Sequence, residues 1–431
     1  MTQKLLLAAI KASNLTEVEK ILQTGISSDE FEGESCIFQC AIQSGHSGIV
    51  QALIDAKASI HSKEKFLPSP LGYAIMHDKL EIVQLLVAAG ADYNESDGFI
   101  QTPLFNAVSD GHSKIVQFLL EKGATVDSVN HCGDTPLKRA IVNRRTECVQ
   151  LLLKAKASIE KCTFRYGVSP LQFVLEQNNF DIAHLLVDAG HSLDVPISTN
   201  SPKTLILHEF AGKGNFDQVR FLIDAKASLD RLDSLSYTPL GIAVVKGYYD
   251  IVELLVEKKA SLDTANFNRT TPLIRAIDRR FVRIARLLIK TGANLETLDK
   301  HNRTPLMYAV SYNQPEIVEI LLKKGAWLNS HNTWNESPWS LLRSYHTGCS
   351  PGHRLEYQHL GKREDMDRMR RIILSRSSLC NWNWHPRFHR LTSKSVQEIV
   401  SMIMIIWSRR VSFCLDDVAL EILFHIFNFL V

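Results

Sequence analysis

Six His and Cys side chains near the C-terminal end are the residues best suited to metal chemistry: His346, Cys349, His353, Cys380, His385 and His389. Imidazole and thiolate both ligate zinc, and a zinc ion with an open position can activate water. The spacing argues against a site, because the paired Cys-x-x-Cys of a closed zinc centre is missing. A polar loop followed by an aromatic linker accounts for the same residues, so no metal ligand is assigned. The chain has no glycine-rich phosphate loop, no His-Glu-x-x-His and no nucleophile elbow. Arg279, Arg280, Arg283, Arg286 and Arg303 gather in one stretch that could hold a phosphate. Asp263, Asp278 and Glu296 are interleaved with them, which is the pattern of a mixed-charge solvated face. Cys40 and Cys148 fall on helix faces and read as small buried core residues. The sequence assigns no catalytic residue, no metal and no cofactor.

The composition narrows the function further. Of 431 residues, 45% are apolar and 22% charged, the profile of a folded chain rather than a disordered one. A net charge of +3 is too small for a dedicated nucleic-acid binder. Eight cysteines with one close pair, Cys36/Cys40, fit free thiols in a reducing compartment and predict an intracellular chain, cytoplasmic or nuclear. The apolar run Leu5 to Ile10 is too short for a secretory signal, and no stretch reaches the ~20 apolar residues of a membrane span.

The elements that position any surface repeat along the chain. Thr-Pro-Leu or Ser-Pro-Leu begins at Ser69, Thr102, Thr135, Ser169, Thr238, Thr271 and Thr304, and Ser337-Pro338-Trp339 follows. The intervals are 33, 33, 34, 69, 33, 33 and 33, and the long one hides a degenerate copy at Leu205-Ile206-Leu207. Cys36-Ile37-Phe38 and the stretch Leu5 to Leu22 are two more worn copies, giving about ten repeats and a broken last one. In each copy the hydroxyl caps a first helix and the Pro takes its first position, where no amide hydrogen is missed. A second helix follows, with stripes such as Ile115-Val116-Phe118-Leu119-Leu120. It closes on a glycine suited to left-handed backbone, and Lys156 and Lys226 stand in that position at some local strain.

Thr102-Pro103-Leu104, Ala107, Gly111-His112 and Ile115-Val116 through Gly123-Ala124, repeated in register, resemble the ankyrin repeat. The resemblance covers residues 1–344 and implies an all-α solenoid of about ten helix-turn-helix repeats, each burying its apolar face on its neighbours. It also implies a non-enzymatic module that meets a protein through loop tips and first-helix edges. Aligned on the Thr-Pro-Leu register, the tips carry Phe99, His131, Tyr237, Phe267, Arg269, Lys300, His301, Arg303 and Trp334, and the helix edge carries Tyr312. Exposed aromatics with Arg are the residue types of interface hot spots, so a protein partner gripped by the second half, Tyr237 to Trp334, is expected. A monomer is expected, with no nucleic-acid or membrane partner.

The repeat pattern breaks after Leu342. Residues 345–385 read as an insertion, the last repeat helix (Arg363 to Arg376, with Met366, Met369, Ile372, Ile373 and Leu374 inward) and an aromatic linker. Residues 386–431 read as a two-helix module. With 13 Lys/Arg against 8 Asp/Glu, residues 341–431 carry 13 − 8 = +5, leaving −2 for the repeats. The sixteen residues from Leu415 to Leu430 resemble the opening helix of an F-box, and Ser395 to Arg409 is similar to part of a SOCS box. Either resemblance implies a cullin-type ubiquitin-ligase adaptor on Leu415, Val418, Ile422, Ile426 and Phe429. The alternative is a plain scaffold or inhibitor in which these helices only cap the stack.

Overall fold

The computed structural model describes residues 2–23, 37–60, 68–96, 101–162, 164, 167–194, 196–197, 203–338, 340–342 and 363–377. Phe99, the five expected adaptor residues and the six candidate zinc ligands lie outside the described residues. The chain divides into two compact units, residues 1–308 with 331–333, and residues 309–330 with 334–431.

The first unit is a run of paired helices: α1 (Thr2–Lys11) with α2 (Leu15–Gln23), α3 (Ile37–Ser44) with α4 (Ser47–Asp55), and α5 (Pro70–Met76) with α6 (Leu80–Ala88). Then come α7 (Pro103–Asp110) with α8 (Ser113–Glu121), α9 (Pro136–Val142) with α10 (Thr146–Lys154), and α11 (Pro170–Glu176) with α12 (Phe180–Asp188). After these follow α13 (Ile206–Lys213) with α14 (Phe216–Asp224), α15 (Pro239–Lys246) with α16 (Tyr249–Glu257), and α17 (Pro272–Asp278) with α18 (Val282–Lys290). Helix α19 (Pro305–Ser311) comes next. Among the described residues no strand forms, and Pro196 and Leu205 make an isolated bridge.

Local chemistry sets the helix starts. Ser69, Thr102, Thr135, Ser169, Thr238, Thr271 and Thr304 each accept the backbone N–H three residues on, at 3.1–3.5 Å. Each cap satisfies one of the donors that a helix N-terminus leaves unpaired. The ends are set by left-handed backbone. Gly111, Gly214 and Gly247 end first helices at φ 88, 81 and 81. Gly247 is needed twice over, since a Cβ there would stand 2.7 Å from the Phe281 ring. Lys57, Lys156, Lys226 and Lys259 end second helices at φ 58, 61, 69 and 65, so the lysine replacements do adopt the conformation that glycine takes without strain.

The core repeats with the same register. Leu104, Ala107 and Val108 of α7 meet the stripe Ile115, Val116 and Leu119 of α8, all fully buried. Leu273, Ala276 and Ile277 of α17 with Ile284, Ala285 and Leu288 of α18 repeat the arrangement. First helices pack on the next first helix and second on the next second, as in α5–α7–α9 and α6–α8–α10. No repeat could bury its stripe alone. Cys148 belongs to this core and burial pushes its thiol up to about 11, whereas Cys40 is only half-buried, contrary to the sequence expectation.

The degenerate copy at Leu205 is a seam. Leu205 has no hydroxyl, and the cap is rebuilt from the other side: buried His208 accepts the Leu205 N–H on Nδ1 at 3.3 Å. Its Nε2 is then the protonated nitrogen, donating to the Arg231 carbonyl at 2.9 Å. The Phe221 ring lies against Phe180 at 5.8 Å and His184 at 4.8 Å. Buried Gln218 donates to the Leu175 carbonyl at 3.2 Å and to Asn178 Oδ1 at 2.6 Å.

In the second unit, α20 (Pro315–Lys323) packs against α21 (Arg363–Ser377). Met369 and Ile373 of α21 are buried, Ile372 is half-buried, and Arg368 reaches Glu319 at 3.5 Å. The helix expected from the sequence is there, with part of the expected face turned inward.

Candidate protein-binding surface

Four of the loops between one helix pair and the next are hairpins held by one side chain five residues before the capping hydroxyl. Asn130 Oδ1 accepts the N–H groups of Cys132 and Asp134, both at 2.9 Å. Asp233 does the same for Leu235 and Tyr237, Asn266 for Asn268 and Thr270, and Asp299 for His301 and Arg303, at 2.7–3.1 Å. A second set of side chains ties each repeat to the following one. Asn94 Oδ1 accepts Thr125 N–H, Asp127 accepts Ser158, Asp230 accepts Ser261 and Asp263 accepts Asn294, at 2.8–3.0 Å. Neither set is among the residues expected from the sequence, although Asn130, Asp233, Asn266 and Asp299 stand at the same register and the last three are 33 apart.

The loops of the later repeats are also joined to each other. Lys300 N–H donates to the Asn268 carbonyl at 3.2 Å, and Thr333 N–H to the His301 carbonyl at 3.0 Å. Three successive loops therefore share backbone hydrogen bonds.

The expected contact residues fall into distinct situations. Phe267 is 65% exposed, and Arg269 and Lys300 stand on the surface beside it. His131 is exposed and its Nε2 lies 3.2 Å from Cys132 Sγ. Tyr237 is half-buried, its ring 3.2 Å from where a Cβ on Gly241 would stand. His301 is half-buried as well. Arg303 does not project as the sequence alignment implied. Its Nε donates to Asp299 Oδ2 at 2.9 Å, and its guanidinium donates to the Tyr308 hydroxyl at 2.6 Å. That hydroxyl in turn donates to Asp299 Oδ2 at 2.8 Å. Burial pushes the Asp299 carboxyl up, but the backbone donors, the phenol and the guanidinium outweigh it and hold it below the usual range. Burial beside that carboxylate drives the Tyr308 phenol upward. Arg303 thus shapes its loop from within. In the second unit Trp334 is 39% exposed and Tyr312 is half-buried.

Other apolar side chains surround these positions and were not expected. Leu235 is 53% exposed, Leu232 43% and Leu298 38%. Leu232 and Leu298 precede their hydroxyl by the same six residues, so the repeat register itself could have found them.

Among the described residues no group of three or more His, Cys, Asp or Glu could hold a metal ion. The open cleft of about 340 Å³ beside the seam, bordered by His191, Asp194 and Lys226, is broad and shallow. Burial holds His191 low, and its Nδ1 lies 2.8 Å from the Ser192 carbonyl. Among the described residues no helix is long and apolar enough to cross a membrane.

The family model described as ankyrin repeats (3 copies) matches residues 5–97, 71–163, 104–197, 171–266 and 260–332, a continuous span. No curated protein matches the chain. Hydroxyl-capped first helices, glycine or lysine at left-handed ends, hairpin loops between pairs and a family match over three quarters of the sequence agree with one another: the chain belongs to the ankyrin-repeat family, whose members generally act as protein–protein interaction modules.

Proposed function

We propose that this chain recognises a protein partner through the hairpin loops of its second half, residues 232–303, and acts by holding that partner rather than by transforming it. The observation that carries the reading is the loop of Phe267. It exposes 65% of a large aromatic side chain, yet its backbone is fixed by Asn266 and joined to the next loop through Lys300. An anchor displayed on a pre-formed loop binds at lower entropic cost than one on a loop that must be ordered. Hydrogen exchange on the full chain, with and without a partner captured from lysate, tests this. Slowed exchange is expected at 232–237, 264–270 and 297–303; protection confined to other segments would contradict it.

The proposal extends to an intracellular monomer, in keeping with unpaired thiols at Cys40, Cys132, Cys148 and Cys162. The finer reading is a substrate receptor of a cullin-type ubiquitin ligase, supported by the F-box-like pattern of Leu415, Val418, Ile422, Ile426 and Phe429. Affinity capture with the full chain and with a chain ending at Arg410 separates the two roles of the tail. Loss of ligase components alone favours the adaptor. Unfolding of the shortened chain, with no ligase captured by the full one, favours a cap.

A further inference from the structure

We infer that the partner segment seated on these loops is acidic and carries a bulky apolar side chain. The inference rests on the loop-binding reading above and adds the chemistry of what is bound. It follows from where the charges of the loops are spent. Asp230 and Asp263 accept backbone N–H groups of the following repeat at 2.8 and 2.9 Å. Asp233 closes its own loop with two more N–H groups, at 2.8 and 2.7 Å. Asp299 is 1% exposed and receives two N–H groups, a guanidinium and a phenol. Asp299 is thus turned into the fold, while the exposed Asp230 and Asp263 and the half-buried Asp233 each have Oδ1 committed to backbone N–H groups.

The outward cations are not matched in this way. Arg269 and Lys300 are exposed and have no ion-pair partner among the described residues, and their loops are joined by the Lys300–Asn268 hydrogen bond. Beside them stand Leu235, Phe267 and Leu298. Two uncompensated cations next to an exposed aromatic fit carboxylates flanking an apolar anchor, with the anchor supplying burial and the charges supplying orientation and association rate. A nucleic acid fits less well. Its phosphates repeat every few ångströms, and this face offers two unpaired cations among apolar side chains rather than a continuous basic track.

The test is selection from a displayed library of random peptides on the full chain. Selected peptides are then measured against the variant Phe267→Ala/Arg269→Asn/Lys300→Glu and against Lys300→Glu alone. Asn is used at 269 because it accepts the φ of 59 found there. Circular dichroism checks that each variant keeps its helices, and Lys300→Glu serves if the triple variant does not fold. The expected result is enrichment of peptides with several Asp or Glu around Phe, Leu or Trp. Their affinity should fall about tenfold or more in the triple variant and weaken with salt. Neutral or basic peptides that the variants fail to bind would keep the loops as the contact surface and overturn the acidic assignment. Acidic peptides bound equally by all three proteins would overturn both readings. Absence of any enriched peptide, or preferential binding of a single-stranded oligonucleotide pool through these residues, would also overturn the assignment.

Discussion

The loops at Asn130 and Asp299 share one backbone design and differ in a single atom of the residue that organises them. In both, Oδ1 accepts two N–H groups of the loop. Asn130 then has a buried Nδ2 without a hydrogen-bond partner, whereas Asp299 uses its second oxygen to hold Arg303 and Tyr308. Asn266, the loop between them in type, also leaves Nδ2 buried and unpaired, and Thr270 Oγ1 donates to its Oδ1. Asn130 thus shapes only its loop. Asp299 also holds a first-helix side chain, Tyr308, and the 299 loop is joined on both sides, to Asn268 and to Thr333. The difference shows how one loop gains further ties without a change of repeat: a buried carboxylate recruits partners that an amide cannot.

Breaking the saturated loop has the largest expected effect. Asp299→Ala removes the acceptor of two N–H groups and the carboxylate that pairs with Arg303 and Tyr308, so a loss of about 3–5 kcal/mol is expected in urea unfolding. Asn130→Ala removes only neutral hydrogen bonds and should cost about 1–3 kcal/mol. Equal losses at both positions would mean that the second oxygen contributes nothing.

Acid sharpens the same comparison. The Asp299 carboxyl is held below its ordinary value, so its contribution is present above its unfolded pKa of about 3.9 and is lost as pH falls through the lower folded value. Asn130 and Asn266 do not titrate. Amide exchange at His301 and Arg303 should therefore accelerate near and below pH 4 relative to Cys132 and Asp134. The seam responds earlier. Burial lowers the His208 pKa, so the neutral ring stabilises the fold above its unfolded value of about 6.5. That stability is lost as pH drops below 6.5 towards the folded pKa, and the Leu205 amide should open before those of the 299 loop. Simultaneous opening of both would contradict these assignments.

Smaller effects are expected from the helix ends. Thr271→Val removes a helix cap and should cost about 1 kcal/mol in the same unfolding measurement. Lys226→Gly relieves a left-handed lysine, and after the entropy of glycine is subtracted a gain of about 0.5–1 kcal/mol remains. A loss there would show that the Lys226 side chain has a packing role beyond its backbone.

Much of this fold could be read from the chain because each repeat spells its own boundaries. The hydroxyl, the proline and the left-handed residue act within a few positions of each other, so Thr102-Pro103-Leu104 and Gly111 were sufficient to place α7. The copy at Leu205 shows where local reading stops, since its cap comes from His208, a residue with no cap signature. The surface was less legible. Arg303 reads as an exposed tip cation until Asp299 and Tyr308 are seen to close on it, and that closure depends on a contact between a loop and the helix after it. Leu232 and Leu298 resemble core leucines unless their shared place six residues before the capping hydroxyl is noticed, whereas Leu235 has no such register and only the fold shows it outside. Tyr312 and Trp334 lie in the second unit, and the tail from 378 lies outside the described residues.

The joined loops of the second half, rather than the loop at Asn130, carry the partner in the proposed function. The most direct measurement is the affinity of a captured partner for Phe267→Ala and for His131→Ala in the full chain. A loss of about tenfold or more is expected for Phe267→Ala, with His131→Ala close to the parent. A loss confined to His131→Ala would contradict it.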